Sequence, residues 1–317
     1  MAIARCVTIF VTADHPAACS VYFIDLRGLI MAQPTKTIFE QFLAPLFNNV
    51  LMDREAMLRQ YYGIDWETEC DRLTNPQLTY PDYYLSQNFH GIKNGYLTTD
   101  AAITYDPITQ YVLLPNETWI RQGVCDRIQG APSQIVDLGC GTGSTTVLLK
   151  QTFPDADVIG LDLSPYMLAI ACQKARHSGL SIDFRHGNAE ATGLPDNSVD
   201  VVTASLLFHE TPVAIARTIL SECFRILKPN GQVVILDGNQ ATLRQATWLT
   251  EIFEEPYIKD YAAGCLDDWM RDAGFEAVTT QTHWWSNQIT SALKPNPVQV
   301  VQPNWDMGSD RAWVPAT

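Results

Sequence analysis

The chain has 317 residues, 46% hydrophobic and 18% charged, enough for a large α/β domain with a substantial appendage and too apolar for a disordered chain. Lys and Arg number 21 against 35 Asp and Glu, a formal net charge of −14, and no basic run offsets it locally, so nucleic acid is not an expected partner. Eight scattered cysteines without a CxxC pair fit reduced thiols in a cytoplasmic protein and offer no metal site.

Residues 1–30 read as an N-terminal extension. The apolar run Cys6–Ala13 is broken by Asp14, His15 and Pro16, too early to span a membrane or to serve as an ordinary secretory core, and Met31 offers an alternative start. Residues 31–130 read as a helical, aromatic-rich cap, because residues 61–119 hold eight of the twelve tyrosines with Trp66, Phe89 and Trp119. Packing accounts for most of them. The stretches His90–Asp100 and Ile103–Pro107 mix glycine with polar groups, as a lid over a pocket does, and make His90 a candidate base.

From residue 131 the texture changes to short β-branched runs alternating with helical ones. Strands are predicted at Ser133–Leu138, Asp157–Asp162, Ile182–His186, Asp200–Ala204 and Gln232–Asp237. Helices are predicted over Thr145–Phe153 and after Ser164-Pro165, where Ser supplies the N-cap and Pro the first helical position. Four strand–helix alternations in about a hundred residues point to a doubly wound sheet.

The first strand runs directly into Gly139-Cys140-Gly141-Thr142-Gly143. Closely spaced glycines let a backbone approach a ligand, and the following helix N-terminus suits an electron-rich group. Asp162 ends the next strand 19 residues after Gly143, where a carboxylate can accept both hydroxyls of a ribose. Together they describe an adenosine-containing ligand, with GxGxG spacing in place of the GxGxxG of nicotinamide-binding loops.

The run Val136–Gly143 resembles the first motif of the class I S-adenosylmethionine-dependent methyltransferases, and three further motifs resemble that family in order. They are Gly160–Leu168, then Gly187–Glu190 with Leu194–Asp200, and Arg225–Gln232; the subtype is similar to the type 11 group, which includes quinone C-methyltransferases. The resemblance implies S-adenosylmethionine as cofactor and a Rossmann-like, doubly wound, mostly parallel seven-stranded sheet with an N-terminal helical cap. It implies that Gly139, Gly141 and Gly143 cradle the cofactor, that Asp162 beside Leu163 holds the ribose, and that Asn188 and Ala189 border the adenine. Asn188 stands where relatives often carry Asp. Asp137 is implied near the amino end of the methionine moiety, Ser205 as a further cofactor contact after the fourth strand, and Tyr105, of a Tyr-Asp pair, as a neighbour of the cofactor. Met167 reads equally as core or as the floor under the adenine. The cofactor-binding domain spans 131–293, with a lid insertion at 239–263 bearing Trp248, Phe253 and Tyr257. A hairpin over Glu276–Thr290 packs Trp284-Trp285 at the sheet edge, and 294–317 forms an extended tail with Trp305 and Trp313.

Methyl transfer from a sulfonium is an in-line displacement in which orientation and desolvation supply much of the catalysis. A base is needed only where the acceptor carries a proton of high pKa. His209, shortly after the fourth strand, is the foremost candidate, and Glu210 either orients it or caps the next helix. Three readings follow: a small aromatic or apolar acceptor, a protein side chain, or a cofactor-binding partner protein without catalysis.

Overall fold

The computed structural model describes residues 53–89, 95–252 and 255–296. The N-terminal extension, His90, Phe253 and the tail beyond residue 296 lie outside the described residues.

Apolar runs bounded by Gly, Pro and Asp build five parallel strands: Gln134–Leu138 (β1), Asp157–Asp162 (β2), Asp183–His186 (β3), Val199–Ser205 (β4) and Leu227–Gly238 (β5). Glu276–His283 (β6) and Asn287–Leu293 (β7) add an antiparallel edge, giving the order β3-β2-β1-β4-β5-β7-β6. This is the mostly parallel seven-stranded sheet expected from the motifs. β5 starts earlier than its apolar run, because Leu227 already pairs with Val199 before the ladder slips and resumes at Val201 and Gln232.

Side chains alternate across a strand, and that period of two sorts the core. Val136, Leu138, Val202, Ala204, Val233 and Ile235 face the helices Val213–Ile226 and Leu266–Asp272. Ile135, Val201, Val234 and Leu236 face the other way, against the helices Glu117–Arg127 and Ser144–Thr152. Each fully buried Val, Leu or Ile contributes about 1.5–3 kcal/mol. The 117–127 helix, whose aromatic surroundings group it with the cap, therefore joins the sheet: Ile120, Val124 and Cys125 pack on β1 and β4 residues.

The cap proper comprises the helices Arg54–Tyr62, Trp66–Leu73, Asp82–Leu85 and Thr99–Val112 with the segments between them, and packs Ile64, Leu73, Phe89, Tyr96 and Ala101–Ile103 onto Met167–Ile170. These last residues lie in the helix Pro165–His177, which opens as its sequence requires. Ser164 Oγ accepts from the Met167 amide, Pro165 takes the first position, and Lys174, Arg176 and His177 occupy the last turn. Residues 239–263 form three short helices, Gln240–Gln245, Thr247–Ile252 and Ile258–Ala263. Trp284 and Trp285 are not packed at the sheet edge. They form the exposed β6–β7 turn, where Trp284, at φ 51°, stacks instead on Trp119.

Candidate active site

Strand order reverses between β1 and β4, the place where open α/β sheets bind ligands at their carboxyl ends. A cleft of about 680 Å³ lies there. Of the residues the sequence suggested for the cofactor, Tyr105, Gly139, Gly141, Asp162, Leu163, Met167, Asn188, Ala189 and Ser205 line it. Tyr83, Tyr84, Phe89 and Tyr96 from the cap complete the wall. Their only signal in the sequence was the density of aromatics.

The glycine loop is built for close approach. A Cβ on Gly141, at φ 53°, would find only the Tyr105 ring, at 3.9 Å, so the space above this backbone is open. Gly143, at φ 76°, is glycine for packing as well: a Cβ there would stand 2.9 Å from the Ala171 Cβ, and the residue does not line the cleft. Asp162 Oδ2 accepts from the Gly141 amide at 2.8 Å and Oδ1 from the Ser164 amide at 2.8 Å. Burial pushes its carboxyl up to about 6 against those two amides. Asp106 fastens the cap to the same loop, accepting from the Thr142 hydroxyl at 2.5 Å and pairing with Lys174 at 2.9 Å. Tyr105 is thereby held over Gly141.

Asp137 belongs to β1. It lies 1% exposed behind the loop, accepting from Thr146 Oγ1 at 2.6 Å and Thr203 Oγ1 at 2.8 Å, and does not line the cleft. Strand alternation turns it toward the 144–152 helix, and burial raises its carboxyl to about 6. Asn188 makes an Asx turn, its Oδ1 accepting from the Glu190 amide at 2.9 Å, while the residue borders the cleft.

A second cavity of about 870 Å³ adjoins the first. Tyr96, Tyr105, Leu206 and Glu210 line both and form the partition between them. Its further walls are apolar, with Ile108, Val112, Leu113, Leu243, Leu249 and Ile258 prominent, and His209 is its only described histidine. Nδ1 of His209 lies 2.6 Å from Oδ1 of the fully buried Asp237, whose Oδ2 accepts from the Phe208 amide at 2.8 Å. The carboxylate keeps the proton on Nδ1 and leaves Nε2 as the titrating nitrogen. Burial pulls the imidazole down, but Asp237, with Glu210 and Glu255, outweighs it and raises it to about 9. Glu210 Oε1 lies 4.0 Å from Nε2 and accepts from the Tyr96 hydroxyl at 2.7 Å. It does not cap the following helix, whose N-cap is Pro212 with no side-chain bond. Asp237 was not among the sequence candidates, although an acid closing the apolar run Val233–Leu236 signalled it.

A model of the methyltransferase domain matches residues 135–231. The chain is similar to the demethylmenaquinone methyltransferase of Thermus thermophilus, 39% identical over 38% of this chain and 53% of that one. It is 33% identical to the demethylmenaquinone methyltransferase of Lactococcus lactis over 62% of this chain and 83% of that one. The chain belongs to the class I S-adenosylmethionine-dependent methyltransferases. S-adenosylmethionine is the cofactor of this methyltransferase. The aligned part spans about half the length of the Thermus and Deinococcus relatives, 53% and 48%. The fold is shared with a protein described as an S-adenosylmethionine-dependent methyltransferase from Methanococcus maripaludis, at TM-score 0.51 and 19% identity over 63% of this chain and 94% of that one.

The residues of this methyltransferase fit that cofactor. Asp162 and Glu210 in the cleft wall suit a ligand with ribose hydroxyls and a sulfonium. Met167, 2% exposed, serves both core and cleft wall. No helix among the described residues is long and apolar enough to cross a membrane.

Proposed function

We propose that this methyltransferase acts on a small aromatic acceptor of the reduced-quinone class, bound in the second cavity, with His209 as general base. The single observation that carries the reading is the partition: four side chains separate the cleft that holds the glycine loop and Asp162 from an apolar cavity lined by His209, which is paired with Asp237. Two relatives carry the name demethylmenaquinone methyltransferase, which agrees with a ring acceptor in an apolar space.

S-adenosylmethionine supplies, when bound, an electrophilic methyl on a positively charged sulfur. The chain's part is orientation, exclusion of water and proton management. Tyr96 and Tyr105 wall the path between the cavities, and the apolar lining keeps water from the methyl. His209 Nε2 would take the proton of the acceptor hydroxyl as a ring carbon accepts the methyl and sulfur keeps the bonding pair; the hydrogen on that carbon then leaves as a proton and the hydroxyl regains one, restoring the aromatic ring, while Asp237 holds the imidazolium. In the cofactor-free protein His209 is protonated at neutral pH. A bound sulfonium would disfavour that charge and so favour the neutral imidazole that a base requires.

The test is to incubate the protein with S-adenosylmethionine and a water-soluble reduced naphthoquinone lacking the ring methyl. One added carbon-bound methyl, found by mass spectrometry and proton NMR, is expected. Absence of product under conditions where S-adenosylhomocysteine binds overturns the acceptor assignment.

A further inference from the structure

Five large apolar side chains stand exposed beside segments that line the second cavity. Leu114 (63% exposed) follows Val112 and Leu113, Trp248 (50%) precedes Leu249, and Trp284 (45%) and Trp285 (61%) precede Ser286 and Asn287. Trp119 (60%) stacks on Trp284 with ring centroids 6.3 Å apart and planes at 24°. These positions are fixed by backbone bonds: the Trp285 carbonyl accepts from Thr242 Oγ1 at 3.0 Å, and His283 Nε2 donates to the Ile120 carbonyl at 3.0 Å. Residues 112–120, 246–250 and 284–287 contain one charged side chain, Glu117, and Arg121 binds it.

An exposed set of tryptophans nearly free of charge, in a chain of net charge −14, marks an interaction surface. We infer that this rim docks the enzyme on a neutral lipid surface, from which the apolar acceptor enters the second cavity. The inference rests on the proposed acceptor class, because an apolar ring compound partitions into bilayers. Indole rings suit the boundary between headgroups and acyl chains, where the N–H stays hydrated and the ring is buried. Continuity of the rim with the apolar cavity favours lipid over a protein partner. The lack of cations in these segments and the overall negative charge favour zwitterionic over anionic headgroups.

The test is flotation with phosphatidylcholine vesicles, without cofactor or acceptor, comparing wild type with the Trp284→Ser/Trp285→Ser variant. Wild type is expected to float with the vesicles, less so with phosphatidylglycerol vesicles, and the variant is expected to lose about tenfold or more in partitioning. A thermal shift with S-adenosylhomocysteine checks that the variant is folded. Should it not fold, quenching of wild-type tryptophan fluorescence by brominated phosphatidylcholine reports the same contact. Wild type that stays free of phosphatidylcholine and is not quenched, or a folded variant that floats equally well, overturns the inference. Because no acceptor is present, these outcomes are independent of the methylation assay. Methylation of a water-soluble acceptor by a protein that ignores vesicles leaves the proposed reaction standing and removes the docking surface.

Discussion

Nδ1 of His209 lies 2.6 Å from Oδ1 of Asp237, joining the turn after β4 to the end of β5 across the mouth of the sheet. The pair sets the charge of the imidazole, which stands at about 9 in the cofactor-free protein. With S-adenosylmethionine as the varied substrate, kcat/KM reports the cofactor-free enzyme and is expected to rise with pH toward 9. Asp237→Asn removes the charge that sustains the imidazolium, so the rise moves to lower pH by about one unit or more. A pH–rate series on both proteins checks this, and an unmoved rise takes the pair out of proton transfer.

His209→Ala separates a base from a loop support by size. A general base contributes about 10²–10⁴-fold in rate, whereas one loop-ordering hydrogen bond is worth about 1 kcal/mol. Turnover is expected to fall a hundredfold or more by the first figure, with S-adenosylhomocysteine affinity unchanged. A loss expressed mainly as weakened cofactor binding makes His209 a support of the turn.

The same pair gives stability a pH dependence of definite sign. The imidazole rises from 6.5 to about 9 on folding, so its contribution is fully present below pH 6.5 and is lost as pH climbs through 9. Thermal melts of the cofactor-free protein across that window are expected to show a fall that His209→Gln lacks. Equal slopes in both proteins place the interaction outside the folding balance.

Asp162→Ala removes a charge-assisted pair of acceptors for the ribose hydroxyls and is expected to cost about 2–4 kcal/mol in cofactor affinity. Because burial raises this carboxyl to about 6, wild-type affinity also weakens as pH falls through that value. Calorimetry with S-adenosylhomocysteine on either side of pH 6 reads both effects. A change under about threefold, well below 1.4 kcal/mol, moves the ribose elsewhere.

Filling the second cavity distinguishes its role from that of the cleft. Ile108 lines only the second. Ile108→Trp should raise the acceptor KM about tenfold or more, with overpacking costing about 1–3 kcal/mol of stability. Unchanged KM in a folded variant places the acceptor outside this space.

The sheet was legible because its strands carry their own boundaries: apolar runs ending in Gly139, Asp162 and the Ser164-Pro165 cap state both period and stop. The place of Asp162 in the cleft was legible because it follows from position at a strand end. Asp137 has the same outward signature, yet alternation turns it onto Thr146 and Thr203, and those partners come from two other elements. His209, in the turn after β4, and Asp237, near the end of β5, are 28 residues apart, and only the pairing of those two strands brings them together. The 117–127 helix misled for a related reason. Its exposed Trp119 belongs with the aromatics before it, while its buried face belongs to the sheet.

The partition of Tyr96, Tyr105, Leu206 and Glu210 has a consequence for how such an enzyme can diverge. Ile108, Val112, Leu243, Leu249 and Ile258 touch only the second cavity, and all lie outside residues 135–231, the stretch that carries the nucleotide-binding loop. If the acceptor occupies the second cavity as proposed, substitutions there change acceptor choice without touching a residue that lines the cleft. The four shared side chains have no such freedom, since any change in one alters both compartments at once. Under the proposed reading, acceptor preference can vary through the cap and the 239–263 insertion, whereas the shared wall ties the two compartments together.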